Sequence, residues 1–169
     1  MGESGVRCDC HKEVGIKGIP VSETSTKIVD LNGAFRYKVD AKGRVCLPAK
    51  FRRALSNDLV ITKSPDNECL FVFEPDAFNA WVDQLFIDRF GAYSASNKNH
   101  VRLRSALKAR AFDCQVDAAG RIVLPADVRH DVHVERDVVV VGNTGYFEIW
   151  DASRYDDMTK EIDLSVLFS

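Results

Sequence analysis

The chain has 169 residues, of which 46% belong to the hydrophobic set, and its formal net charge is −2. That length suits one compact domain or two small domains that share a core. No apolar run approaches the ~20 residues of a membrane-spanning helix, and the first residues lack the apolar segment of a secretory signal. These features predict a cytoplasmic protein without membrane contact, and the total charge alone does not indicate a nucleic-acid partner.

Signals for catalysis and for metal binding are weak. The sequence has no glycine-rich phosphate loop and no nucleophilic serine elbow. Cysteines and a histidine at 8–11, "CDCH", lack the second ligand cluster of a structural zinc site. Cys46, Cys69 and Cys114 lie in strand-like apolar runs and are expected to be reduced thiols. We therefore expect no catalytic site, metal, cofactor or small-molecule substrate.

A β-hairpin is predicted over residues 34–47. The run "AFRYKV" at 34–39 is typical of a strand, and an aspartate followed three positions later by glycine is typical of a type I turn. The chain then returns as a second strand. Asp40 and Arg44 are therefore expected at the tip of the hairpin.

Helices and strands alternate after this hairpin. A short helix is predicted from Pro48 to about residue 56, because proline suits a first helical turn, and strands are predicted at 59–63 and 69–74. A longer helix over about 76–88 has apolar residues at i, i+3, i+4, i+7 and i+8. These residues are Phe78, Trp81, Val82, Leu85 and Phe86. We expect part of this apolar face to remain free for a neighbouring copy.

The order of elements repeats after a second helix near 99–110. Residues 40–52, "DAKGRVCLPAKFR", return at 117–129 as "DAAGRIVLPADVR", with eight of the thirteen positions identical and an offset of 77 residues. A duplicated unit of ~45 residues is too small to bury much core alone. The two units are therefore predicted to interlock into one pseudo-symmetric, β-rich α+β body, with amphipathic helices after each unit.

This repeat divides the chain into five parts. Residues 1–31 have few large apolar residues and no clear period, so they are expected to form a flexible tail. The first unit spans 33–79, connecting helices span 80–109, and the second unit spans 110–153. Residues 154–169 are expected to form a C-terminal helix and tail, with Asp151 as a helix N-cap.

Charge distinguishes the two copies. Residues 36–53 contain seven cations against one aspartate, whereas 113–130 contain two arginines against three aspartates. The candidate polyanion contacts are Arg36, Lys38, Lys42, Arg44, Lys50 and Arg52. Structural roles are expected for Asp40, Asp117 and Arg121, with each aspartate holding its turn or pairing with an arginine. The alternative is a solvated surface hairpin. A second basic run at 97–110 spreads around its helix and is expected to be structural, with pairing to acidic residues of a neighbouring subunit as its role.

The segments "GAFRYKVDAKGRVCLPAKFR" and "CQVDAAGRIVLPADVR", with the closing "FEIWD", resemble the MraZ family of bacterial transcriptional regulators. The resemblance covers about 33–160. It implies two SpoVT-AbrB-type units with a swapped-hairpin, AbrB-like fold, and assembly into homo-oligomeric rings. The family's Asp-x-x-x-Arg motif falls on Asp40 and Arg44, and again on Asp117 and Arg121.

The resemblance also implies a function. A family member is expected to bind short direct repeats in double-stranded promoter DNA upstream of the division and cell-wall gene cluster, and to be associated with the nucleoid in the cytoplasm. The extra lysines then mark the first copy as the DNA-binding one, while the second completes the body. The alternatives are a structural ring that does not bind DNA and an antitoxin-like module that binds a protein.

Overall fold

The computed structural model describes residues 28–169. Over this range the fold is mixed α+β, with eight strands, five α-helices and one 3-10 helix. No helix in the described range is long and apolar enough to cross a membrane.

The elements follow one another along the chain as two similar halves. In chain order they are β1 (Ala34–Lys38), β2 (Arg44–Cys46), α1 (Ala49–Ala54), β3 (Asp58–Lys63), β4 (Leu70–Phe73), α2 (Pro75–Phe90), α3 (Lys98–Ala109), β5 (Phe112–Gln115), β6 (Arg121–Val123), α4 (Ala126–Asp131), β7 (Asp137–Gly142), β8 (Tyr146–Asp151), α5 (Ala152–Glu161) and the 3-10 helix Leu164–Leu167. Elements β1 to α2 make up the first half, and β5 to α5 make up the second. The predicted elements are thus present, with ends that differ by one or two residues.

The strands form one six-stranded sheet and one two-stranded ribbon. The sheet has the order β1-β7-β8-β4-β3-β5, the ribbon pairs β2 with β6, and every pairing is antiparallel. Edge strand β1 therefore pairs with the second half, and edge strand β5 pairs with the first half. The ribbon takes one strand from each half, so the two halves share every layer of the fold.

The predicted hairpin over 34–47 is wrong in its pairing, although its turn is present. The amide of Gly43 donates to the carbonyl of Asp40 at 2.9 Å, and the amide of Asp40 donates to the carbonyl of Arg44 at 3.0 Å. The two strands beside this turn lie in different sheets. Pairing across the halves gives all five residues of β1 a partner on β7 and leaves β2 free to pair with β6.

The central core lies between the sheet and the ribbon. Alternate strand residues such as Val138, Val140 and Ile149 belong to it, and Val45 and Ile122 of the ribbon join the same cluster. These side chains are fully buried, as expected for period-two strands that cover one core. The residues on either side of Val45 and Ile122 therefore form the outward face of the ribbon.

Helix α2 covers the opposite face of the sheet. Phe78, Val82 and Phe86 are buried there against Val60 and Phe73. Trp81 and Leu85 of the same face are only half-buried, so the expectation that part of this face is free for a neighbour stays a prediction. The large apolar side chains of α2 that are exposed are Ile87 and Phe90.

The described chain begins with residues that are packed against the body. Leu31 is 2% exposed and belongs to the central core. The carbonyl of Val29 accepts a hydrogen bond from Gly145 at 2.7 Å. The predicted tail over 1–31 therefore does not extend to Leu31. The rest of that tail, with the cysteines at 8–11, lies outside the described residues.

The cysteines of residues 28–169 are free thiols, namely Cys46, Cys69 and Cys114. Cys69 is buried, and its burial raises the pKa of the thiol. Burial also raises the pKa of Cys114 to about 12. Cys46 is exposed on the ribbon. Across this same part of the chain, no group of three or more potential metal ligands comes together.

Phe51 connects α1 to the core, and its replacement should destabilise the fold. The side chain is fully buried and packs edge-to-face on Phe35, with ring centroids 5.5 Å apart. Phe51→Ala is expected to lower the free energy of unfolding by about 3–5 kcal/mol, because it leaves a cavity. Urea denaturation measures the change, with the exposed Phe90→Ala as the matched control. A change below about 1 kcal/mol would contradict this packing.

Candidate nucleic-acid interface

The two Asp-x-x-x-Arg turns have the same geometry. Oδ1 of Asp40 accepts hydrogen bonds from the amides of Lys42 and Arg44, both at 2.9 Å, and its Oδ2 accepts from Nε of Arg44 at 2.6 Å. Asp117 repeats this pattern with the amides of residues 119 and 121 and with Nε of Arg121, each at 2.9 Å. Each aspartate therefore holds its turn and its arginine together.

This arrangement leaves part of each guanidinium available. Within residues 28–169, the Nη groups of Arg44 and Arg121 have no protein hydrogen-bond partner. The two side chains are 28% and 30% exposed. Backbone N–H donors, followed by the arginine, lower the pKa of both Asp40 and Asp117. Each carboxylate is therefore ionised at neutral pH, and it binds Nε of its arginine while the Nη groups stay unbonded in the described residues.

Both arginines lie on one exposed face of the ribbon. Val45 and Ile122 face the core, so the alternate residues of each strand face outward. The register places Arg44 opposite Val123, and Cys46 opposite Arg121. The two arginines are thus diagonal neighbours across the ribbon, with their Cα atoms roughly 7–8 Å apart.

Each turn packs against the short helix of the other half. The glycine of the second turn, Gly120, has φ +76°, and the guanidinium of Arg52 from α1 fills the space beside its Cα. The first turn mirrors this, because Gly43 has φ +77° and lies beside Arg129 of α4. The amide of Leu47 donates to Gly120 at 2.9 Å, and the amide of Leu124 donates to Gly43 at 2.8 Å. Each short helix therefore packs against the turn of the other half and not against the turn that precedes it in the chain.

This exchange redistributes the charge that the sequence assigns to the first copy. Helix α1, with Lys50, Arg52 and Arg53, lies beside the second turn. Helix α4, with Asp127 and Arg129, lies beside the first turn. The surroundings of the second turn are therefore basic, although its own segment is acidic. Arg121 was expected to have a structural role because its own segment is acidic. Its neighbours from the other half are basic instead.

Arg36 and Lys38 lie away from the ribbon. Phe35 and Tyr37 pack against the central core, so Arg36 and Lys38, which alternate with them, point to the other face of the sheet. There Arg36 forms an ion pair with Asp156 of α5. The structure thus brings Lys42 and Arg44 to the ribbon and places Arg52 beside it, but it separates Arg36 and Lys38 from them.

Two outward residues of the ribbon were not among the predicted site residues. Cys46 is exposed, and Val123 is 50% exposed. Both share the period-two alternation of the arginines, so strand parity could have identified them. The contact of Arg52 with Gly120 left no such signal, because it joins residues 68 positions apart in different halves.

Asp40→Asn is expected to separate the two roles of this aspartate. An amide oxygen still accepts the backbone N–H bonds of the turn, whereas the charged bond to Nε of Arg44 is lost. The fold should persist, and Arg44 should lose its fixed orientation. Thermal denaturation should show a small change in Tm, and 15N NMR should show faster motion of the Arg44 side chain. Unchanged Arg44 dynamics would contradict the role given to this ion pair.

Two comparisons with known proteins agree. The family model described as "MraZ protein, putative antitoxin-like" matches residues 31–96 and 107–167. Proteins named "Transcriptional regulator MraZ" are similar over most of their length. One from Limosilactobacillus fermentum is 37% identical over 73% of this chain and 82% of its own. One from Lachnoclostridium phytofermentans is 35% identical over 78% of this chain and 92% of its own.

The matched segments contain the features described above. The first begins at the buried Leu31 of the central core, and each contains one Asp-x-x-x-Arg turn. A relative from Mycolicibacterium smegmatis with the same name is 38% identical over 74% of this chain and 83% of its own. The resemblance noted from the two turns is therefore confirmed, and the chain belongs to the MraZ family.

Proposed function

We propose that this protein is a sequence-specific DNA-binding regulator of transcription, and that the outward face of the β2–β6 ribbon contacts double-stranded DNA. The observation that carries the proposal is the pair of aspartate-held arginines, Arg44 and Arg121, on one exposed ribbon face. A two-stranded ribbon fits the ~12 Å major groove, and an arginine with two free donors can bind O6 and N7 of guanine. The names of the relatives support the same function.

Cations around the ribbon would hold the DNA backbone. Lys42 is exposed in the first turn, and Lys50 and Arg52 are exposed on α1 beside the second turn. Such side chains contact phosphates without reading sequence, and they make binding depend on salt. Arg36 and Lys38, also candidates from the sequence, would reach DNA only outside the groove that the ribbon enters.

A single ribbon offers a small contact area, so we propose that several copies act together. Homo-oligomeric assembly, in the form of a ring, would place several ribbons on successive direct repeats of promoter DNA, and linked sites raise the overall affinity. The regulated promoter would be that of the division and cell-wall gene cluster, on the nucleoid in the cytoplasm. The exchange of edge strands between halves supports two duplicated swapped-hairpin units as the origin of the body.

A gel-shift titration tests the DNA-binding part of this proposal. The probe is the DNA upstream of the protein's own gene, and the control is a scrambled duplex of equal length and composition. We expect tighter binding to the native duplex and weaker binding to both at higher salt. Equal binding to both duplexes would contradict sequence-specific recognition. No binding at low salt would favour a structural ring or an antitoxin-like protein binder.

A further inference from the structure

The last residues of the chain expose an unusual amount of apolar surface. Five large side chains within residues 162–168, here called the C-terminal apolar segment, are between 51% and 87% exposed. They are Ile162, Leu164, Val166, Leu167 and Phe168. The segment has a defined shape, because Asp163 caps the 3-10 helix through the amide of Ser165 at 2.9 Å. Several large apolar side chains exposed within one short segment are typical of an interaction site.

A second apolar surface lies at the junction of α2 and α3. Phe90 and Leu103 are about half exposed there, and they border a shallow groove with His100, Arg102 and Ala106. His100 is buried beside Phe90, with ring centroids 4.5 Å apart. This surface, here called the α2–α3 groove, has the buried His100 as its floor and an apolar rim that the described chain does not cover.

The two surfaces have opposite charge. Arg102 lines the groove, and within residues 28–169 it has no ion-pair partner; the same holds for Arg89 and Lys98, which adjoin lining residues in the chain. The C-terminal apolar segment carries Asp163 and follows Glu161, and neither of these acids forms an ion pair in the described part of the chain. Opposite charges at the rim of an apolar contact favour one partner and one orientation.

We propose that the C-terminal apolar segment of one copy docks in the α2–α3 groove of a second copy. Both surfaces are apolar and carry opposite charges, and in the structure they remain exposed on one and the same chain. A contact between two different surfaces of identical chains is head-to-tail, so it continues from copy to copy until a ring closes or a filament grows. This inference rests on the proposed multi-copy function and names the surfaces that build it.

Three variants test the docking. The first ends at Glu161 and lacks the segment, and the second is Leu103→Asp in the groove. Both changes lie at exposed positions, so circular dichroism should show an intact fold. The third is Ile28→Asp, a control at an exposed apolar residue outside both surfaces. In light scattering at micromolar concentration without DNA, the first two should be monomers and the control should keep the wild-type oligomer size. The Leu103→Asp monomer should have close to the 18.9 kDa of the full chain, and the shortened monomer correspondingly less.

Mixing the two defective variants gives the sharper result. The Leu103→Asp copy retains its segment, and the shortened copy retains its groove, so together they can form one contact and no more. A 1:1 dimer is expected from the mixture. A wild-type monomer, an unchanged oligomer in the shortened variant, or a mixture that stays monomeric would each overturn the docking.

A DNA titration of the wild type, run alongside, separates this inference from the proposed function. Specific DNA binding without segment-dependent assembly would overturn the docking alone. Segment-dependent assembly without DNA binding would support the docking and overturn the proposed function.

Discussion

Replacing Arg44 with alanine is expected to remove most of the preference for native over scrambled DNA. The aspartate holds Nε of this side chain and leaves both Nη donors free, so the truncation deletes a bidentate contact. Such a contact is worth about 1–3 kcal/mol of discrimination, or roughly 5- to 150-fold in affinity. Fluorescence anisotropy at two salt concentrations measures the loss, and the oligomer size is checked in the same samples.

Arg121→Ala is the matched variant at the other turn. Because Arg121 lies on the same ribbon face and its turn packs against the basic helix α1, we expect a loss comparable to that of Arg44→Ala. Lys50→Ala should instead weaken binding to native and scrambled DNA alike, and it should reduce the slope of log affinity against log salt concentration by about one. If Arg121→Ala binds like the wild type while Arg44→Ala does not, only the first turn reads DNA, as the charge count of each segment predicts.

The first half of the chain is expected not to fold alone. A fragment that ends at Ala95 removes β7, β5 and β6, which pair with β1, β3 and β2 respectively. Strand β1 and the ribbon strand β2 would then have no partner, and the core side of the sheet would be exposed. Circular dichroism and thermal denaturation should show no cooperative transition for the fragment.

Mixing the two half-chains supplies the control for this experiment. Fragments 28–95 and 96–169 contain complementary strands, so the mixture should recover the cooperative transition that each lacks alone. A cooperative transition from the first half as a monomer would contradict the shared sheet.

Much of the fold could be predicted from sequence, but the pairing of its strands could not. Period-two runs, turn residues and helix-starting prolines located the strands and helices, because these signals are local. In an internally repeated sequence, however, a strand has two possible partners with the same residue pattern. Strand β1 could have paired with β2 in its own half, but it pairs with β7 of the other half, and the same alternating pattern fits both choices.

The candidate site shows the same limit. The turn bonds of Asp40 and Asp117 follow from residues four apart, and sequence reasoning anticipated them. The neighbours of each turn depend on tertiary exchange, which put Arg52 beside Gly120 and Arg36 beside Asp156. The charges of one segment therefore do not predict which cations share a surface. The alternation of Arg121 with Ile122 and Val123 was a local signal for the outward face.

Alkylation of Cys46 by iodoacetamide tests the ribbon interface most directly. Cys46 is exposed opposite Arg121 on the outward face, whereas burial raises the pKa of Cys114 and slows its reaction as a thiolate. Mass spectrometry of the peptides follows both thiols with and without saturating native DNA. We predict that DNA slows the alkylation of Cys46 at least about tenfold and leaves Cys114 unchanged, because a ribbon in the major groove is closed to the reagent. An unchanged rate for Cys46 in a complex that anisotropy shows to be saturated would contradict the ribbon as the DNA-binding surface.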